Sequence, residues 1–464
     1  CRQVGIGQLV DSLAQITPEQ RAPLLAGLVP SMIAELKKPP PVAQAGQAAP
    51  PDPSFSFKDA AYAILVYEKQ VLIADDALKQ TLRSALTDWA MADFERRLEN
   101  RSQASTMEQL LRLLGPESVA GVPKFINRDS RNLETLARLV ADLGDQPTKE
   151  AASAALVDVA KFVLSEEWIK VKTPQLEAAN KASKLEPTPE QFKAQLEQYQ
   201  DEELMRVFGS LKKVGGRAAV DFCLDFASDA KAKKERRAAA LAALELQLSA
   251  TNEGDLNKIF AIALSDAPPE ILDLAFRRIG EMPRDKVIGR LYEAFKTDKW
   301  KVRRAAGSIV LKMSTLSHLD EFMGKLPEKD SKGFAMPEAI TFGAMIADLK
   351  EGKPREALQK HLKEGSSAAR VTALSFYLTQ GTPDDLATLA PLESDNTQLP
   401  VCDADPECKF ACYVAKDPQK PDERELRDVK TVGDYVKLCA TPAIKDRAEA
   451  AKKAAEASKD EKKK

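Results

Sequence analysis

The sequence predicts an all-α fold in which helix pairs stack into one continuous core. Three observations carry this. First, from about residue 57 onward apolar residues recur at three- and four-residue spacing, as in AAYAILVYEKQVLIADDALKQTLRSALTDWAMADFERRLE, and no alternating strand pattern stands out. Second, alanine is abundant and aromatics are only 6% of the chain. That mix suits helices packed closely on helices, because alanine has the best intrinsic helix propensity. Third, a long–short helix pair recurs along the middle of the chain. Anchored on the late apolar residues Leu211, Leu244, Ile279, Leu311, Ile346 and Leu378, its intervals are 33, 35, 32, 35 and 32 residues.

Residues 1–36 read as a short lead and two helices. In ITPEQRAPLLAGLVPSMIAEL, Thr17 is the cap, Pro18 the first helical residue and Gln20 the far side of a capping box. The device recurs at Thr188-Pro189-Glu190-Gln191, and the Thr-Pro pairs at 173, 382 and 441 are expected to start helices too. Residues 37–56, with the run KKPPPVAQAGQAAPPDPS, are too rich in proline and small residues to build a core and are expected to act as a tether. Residues 57–392 form the repeat region, clearest over 199–392. First helices such as ERRAAALAALELQL, PEILDLAFRRIGEM and VRRAAGSIVLKM each precede a break and a second helix, here DLNKIFAIAL, KVIGRLYEAF and HLDEFMGKL. An amphipathic pair cannot bury its apolar stripe alone, so pairs must stack. Residues 393–442 form a cysteine-rich module expected to cap the repeats, and 443–464 a charged helical tail.

The starts Val302-Arg303-Arg304-Ala305-Ala306 and Arg236-Arg237-Ala238-Ala239-Ala240 resemble HEAT-like repeats, especially the short bacterial type. The resemblance implies an α-solenoid of HEAT-like helix pairs; the cysteines discussed below add the expectation of a small disulfide-stapled C-terminal module. It covers roughly residues 105–392, rests on period and pattern, and fixes no activity.

The 68 basic and 70 acidic residues nearly cancel, and no basic face typical of nucleic-acid binders is visible. No apolar run approaches the ~20 residues that span a bilayer.

Four of the six cysteines, Cys402, Cys408, Cys412 and Cys439, crowd the last stretch. Two disulfides or a zinc site would each staple a module too short to hold itself by burial. The absence of a C-x2-C pair and of a nearby histidine favours disulfides, with all three connectivities open. Disulfides in turn imply an oxidising compartment. Cys223 shares a helical face with Ala219, Phe222 and Phe226 and reads as a core thiol.

With that compartment, the opening CRQVGIGQLV resembles a processed bacterial lipoprotein. The resemblance implies a signal peptide removed just before Cys1, a diacylglycerol on its sulfur and an acyl chain on its amino group; two or three chains anchor a protein stably. Arg2, where an aspartate would signal inner-membrane retention, implies the outer membrane, with the face left open.

No catalytic constellation stands out. His318 and His361 fall in different repeats, and no nucleophile elbow, Walker loop, dinucleotide fingerprint or H-E-x-x-H occurs. Val214-Gly215-Gly216 reads as a turn between helices, and Asp75-Asp76 and Asp384-Asp385 as helix-start acids. The acidic DADPE at 403–407 lacks the glycine and terminal glutamate of an EF-hand loop. The expectation is a non-enzymatic, lipid-anchored scaffold with no cofactor beyond the acyl groups on Cys1, binding envelope proteins in a multi-protein complex and no nucleic acid. The alternatives are an envelope enzyme acting on cell-wall or glycan substrate, and a surface adhesion or uptake component.

Overall fold

The computed structural model describes residues 2–39, 54–66, 71–99, 105–128, 132–327, 333–349, 352–400, 406–417 and 420–461. The chain forms two compact units, residues 1–226 with 242–247 and residues 227–241 with 248–464.

The first unit begins with α1 (Arg2–Gln15), α2 (Pro18–Leu36), α3 (Ser54–Leu65), α4 (Asp76–Glu99) and α5 (Ser105–Leu114). The Thr17–Gln20 capping box starts α2 as its residue types require. Leu25, Val29, Met32 and Leu36 then bury one stripe, and α2 packs on α3 and α4. Of the expected tether, residues 40–53 lie outside the described residues, and its last residues, from Ser54, already belong to α3.

After two 3-10 turns, Pro116–Val119 and Val122–Phe125, come α6 (Leu133–Leu143), α7 (Gln146–Val163), α8 (Glu166–Ala182), α9 (Pro189–Val214) and α10 (Arg217–Ser228). The C-terminal half of α9 buries Leu204, Val207, Phe208, Leu211 and Val214, and α9 packs on α6 and α7. Val214-Gly215-Gly216 makes the expected turn, with Gly215 and Gly216 at φ +72° and +98°. Only glycine suits that backbone, and a Cβ on Gly216 would sit 2.9 Å from the Ser153 side chain. The tight approach lets Ser153 Oγ accept the Ala219 N–H at 2.9 Å and Glu150 accept the Arg217 N–H at 2.8 Å. Thr173-Pro174 starts nothing, contrary to expectation: Pro174 lies inside α8, which Ser165 already caps upstream and buried Trp168 anchors.

Leu246, also in the first unit, holds φ +58° with its side chain 79% exposed. A left-handed backbone costs an L-residue roughly 1–2 kcal/mol, part of which glycine returns through unfolded-chain entropy. Leu246→Gly is therefore expected to raise the thermal midpoint, while Leu246→Ala, which keeps the Cβ, gives no gain.

The second unit carries the regular repeats: α11 (Lys234–Ala243), α12 (Glu253–Ala263), α13 (Pro269–Ile279), α14 (Arg284–Glu293), α15 (Trp300–Lys312), α16 (Leu319–Lys325), α17 (Met336–Ile346), α18 (Pro354–Glu364) and α19 (Ser367–Gln380). First helices stack on first helices, α13 on α15, α15 on α17 and α17 on α19, while α14 and α18 pack against α15 and α19. This is solenoid packing. It explains why α15 and α19 bury most of their residues whereas α14 and α18 each bury three. Glycines set the spacing. Gly307 lies under the Phe342 ring, and a Cβ on Gly343 would lie 2.5 Å from the Phe376 backbone nitrogen.

Beyond the repeats come α20 (Leu386–Leu389), strands β1 (Ala411–Asp417) and β2 (Lys420–Asp428), α21 (Val432–Tyr435), a π-helical turn (Val436–Ala440) and α22 (Thr441–Glu461). The antiparallel β1–β2 hairpin corrects the expectation of a chain without strands. Its outer face carries one apolar cross-strand pair, Tyr413 and Leu426, among charges, so it shows little apolar alternation. The module closes the end of the stack. Arg447 of α22 donates to the carbonyls of Tyr377 and Leu378 in the last turn of α19 and of its C-cap Gly381. Ser375 and Tyr435 share a buried hydrogen bond of 2.7 Å.

Candidate functional site

The cysteines come first. Cys412 on β1 and Cys439 in the π-helical turn form a disulfide with Cα atoms 5.6 Å apart. Cys408, ending a 3-10 turn, is also disulfide-bonded. Cys408 and Cys412 are therefore not joined to each other. Cys1 and Cys402 lie outside the described residues. Buried Cys408 packs with Trp300 and Ala335, and its neighbour Glu407 pairs with Lys301 at 3.1 Å. The module thus touches α15 and α17 as well as closing α19. Cys223 is free and buried on α10, where loss of solvent pushes its thiol up to about 12. It is expected to resist alkylation in the native protein at pH near 8 and to react at once in denaturant; rapid native labelling would contradict this burial.

The histidines stay apart. His318 Nδ1 accepts the Thr315 N–H at 3.1 Å in a local capping turn. His361, nearly buried on α18, sets Nε2 2.7 Å from Asp320 Oδ1. The acid pairs also have local roles. Lys79 holds Asp76 below the usual carboxylate range, and Asp385 accepts the Thr382 N–H at 2.7 Å and pairs with Arg355 at 3.2 Å. In the acidic run 403–407, residues 403–405 lie outside the described residues. Among the described residues no group of three or more His, Cys, Asp or Glu side chains could hold a metal ion. No described helix is long and apolar enough to cross a membrane.

The densest buried electrostatics lie between repeats. Arg303 on α15 donates Nε and Nη2 to the two oxygens of Glu338 on α17 at 3.0 and 3.1 Å, with both side chains essentially fully buried. Arg303 also donates to the carbonyls of Thr297 at 2.7 Å and Gly333 at 2.6 Å, and Glu338 accepts the Ala335 N–H at 3.2 Å. Burial pushes the Glu338 carboxyl up to about 7 against the pull of Arg303. Buried arginines recur near the starts of α11, α15 and α19 as Arg237, Arg303 and Arg370, while Glu270 at the start of α13 is exposed and pairs with Lys234 at 3.3 Å. Arg237 and Arg370 donate Nε to the carbonyls of Ala227 and Leu362 at 2.8 and 2.9 Å, tying each first helix to the segment before it.

The first unit holds open clefts among its described residues. One of about 720 Å³ has Ile126, Val159 and Phe162 among its lining residues. At its edge Arg128 stacks 4.7 Å over the Phe162 ring and bonds both Glu167 oxygens at 2.9 and 3.0 Å. Its charged arms are thus already paired. No protein-family model matches the sequence, and no curated protein matches it.

Proposed function

We propose that the chain is a non-enzymatic scaffold of a bacterial envelope complex, holding protein partners along its HEAT-like helical repeats. The observation that supports this is the laminated run α13–α15–α17–α19, closed at one end by its own cap. Such a stack presents a long, repetitive surface suited to extended partners. The buried charges between its layers are spent on internal pairing, as in Arg303–Glu338. The Cys412–Cys439 bridge supports an oxidising compartment. In this reading the protein sits at the outer membrane by acyl chains on Cys1.

Affinity purification of the full chain from its own membranes in mild detergent tests the scaffold role. A fixed set of envelope proteins in near-stoichiometric yield is expected; recovery of the chain alone would contradict it. Intact mass of the same material tests the anchor: an excess matching acyl chains is expected, and a bare Cys1 would contradict it.

A further inference from the structure

The β1–β2 hairpin has one edge left open. Among the described residues, β2 is hydrogen-bonded to β1 and to no other strand. Val429, just past β2, donates its N–H to the Phe410 carbonyl at 2.8 Å. Antiparallel pairing alternates bonded and non-bonded pairs along a strand. Glu425 and Arg427 therefore turn their backbone groups toward β1, and Leu426 and Asp428 turn theirs away. Past the strand the same edge is filled, because Leu399 donates to the Lys430 carbonyl at 2.9 Å. The open stretch thus ends at Asp428. A strand edge of this kind is a template for a further strand. Beside it, Leu426 and its cross-strand neighbour Tyr413 are 59% and 68% exposed.

Charges usually blunt a strand edge. Here they are ordered so that one strand fits. Residues 424–428 read Arg-Glu-Leu-Arg-Asp. Let the same strand of a second copy lie antiparallel, with the two-fold axis at Leu426. Glu425 then faces Arg427, Arg424 faces Asp428, and Leu426 faces its own copy. Every charge of the stretch meets its opposite, and the axis falls on a residue whose backbone groups point outward. Moving the axis to Glu425 or to Arg427 sets like charges against each other. Within one chain, Arg427 Nε lies 2.7 Å from Glu425 and Arg424 lies 3.1 Å from Asp446 of α22, with all four side chains well exposed. Exposed pairs of this kind contribute little and exchange readily. We propose that β2 pairs edge to edge with β2 of a second copy of this chain, giving a four-stranded sheet. One face then carries a continuous row of two leucines between two tyrosines, which covers the exposed Leu426. A two-fold contact needs self-complementarity, and residues 424–428 supply it in both charge and backbone.

Sedimentation equilibrium of the full chain tests this. So short a contact is small, and a reversible dimer in the high-micromolar range, weakened by salt, is expected. Arg427→Glu sets acid against acid on both sides of the axis, and Glu425→Arg sets base against base. Each alone should weaken the dimer about tenfold or more with unchanged circular dichroism. Mixed in equal amounts, the two single variants should form a heterodimer. The double variant Glu425→Arg/Arg427→Glu should regain the homodimer. A wild-type chain that stays monomeric throughout this range would overturn the proposal. So would a dimer indifferent to Arg427→Glu, or single variants that do not complement each other.

Discussion

Gly343→Ala is expected to destabilise the second unit, against the normal gain from replacing a helical glycine. Within a helix, alanine usually adds about 0.5–1 kcal/mol over glycine by lowering backbone entropy in the unfolded chain. At Gly343, however, the new Cβ would lie 2.5 Å from Phe376 N and 2.6 Å from the Ser375 carbonyl carbon. Both are backbone atoms of α19, so no rotamer relieves the contact, and α17 and α19 must separate. Overpacking of this kind typically costs about 1–3 kcal/mol, and here the whole helix must move, so the upper end is expected. Gly289 on α14 supplies the control, because nothing lies within 4 Å of a Cβ there. Thermal or denaturant unfolding of the two variants should therefore move in opposite directions. A stabilised Gly343→Ala would mean that the first helices do not pack as closely as described.

Arg303→Ala is the second large effect. It leaves the Glu338 carboxyl buried without its bidentate partner and frees the carbonyls of Thr297 and Gly333. Breaking a buried pair by removing one partner costs about 3–5 kcal/mol, which for a unit of this size lowers the thermal midpoint by roughly 10 °C. The pH dependence has a definite sign. The folded-state pKa of Glu338, about 7, lies above its ordinary 4.5, so folding takes up a proton between these values. Stability from this group is present below about 4.5 and is lost as pH rises through about 7. Wild type should therefore lose stability relative to Glu338→Gln between about pH 5 and pH 8. The Arg303→Ala penalty should be smaller at the acid end, where a neutral Glu338 needs no counter-charge. A pH-independent difference would show that the carboxylate is solvated or fully stabilised by the guanidinium.

The repeats were legible because their signal is periodic. Thr17 and Thr188 state their helix starts in residue type, and the breaks after Leu244, Ile279 and Leu311 recur at the repeat interval. What stayed hidden depends on contacts that period does not encode. The β1–β2 hairpin was missed because its strands alternate weakly and its stability leans on Cys412–Cys439, a link 27 residues long. Four cysteines admit three pairings, and nothing in their spacing sets Cys412 on a strand facing Cys439. Pro174 shows the opposite error, a start signal overridden by the earlier Ser165 cap and by burial of Trp168. His361 could not be placed from sequence either, since its partner Asp320 lies in the preceding repeat.

Hydrogen exchange across the full chain, resolved by peptide, tests the stacking most directly. First helices are sandwiched between neighbours on two sides and should open only with the unit. The account predicts α13, α15, α17 and α19 as one slow-exchanging block, with α14, α16 and α18 markedly faster. First helices exchanging no more slowly than the second helices beside them would contradict it.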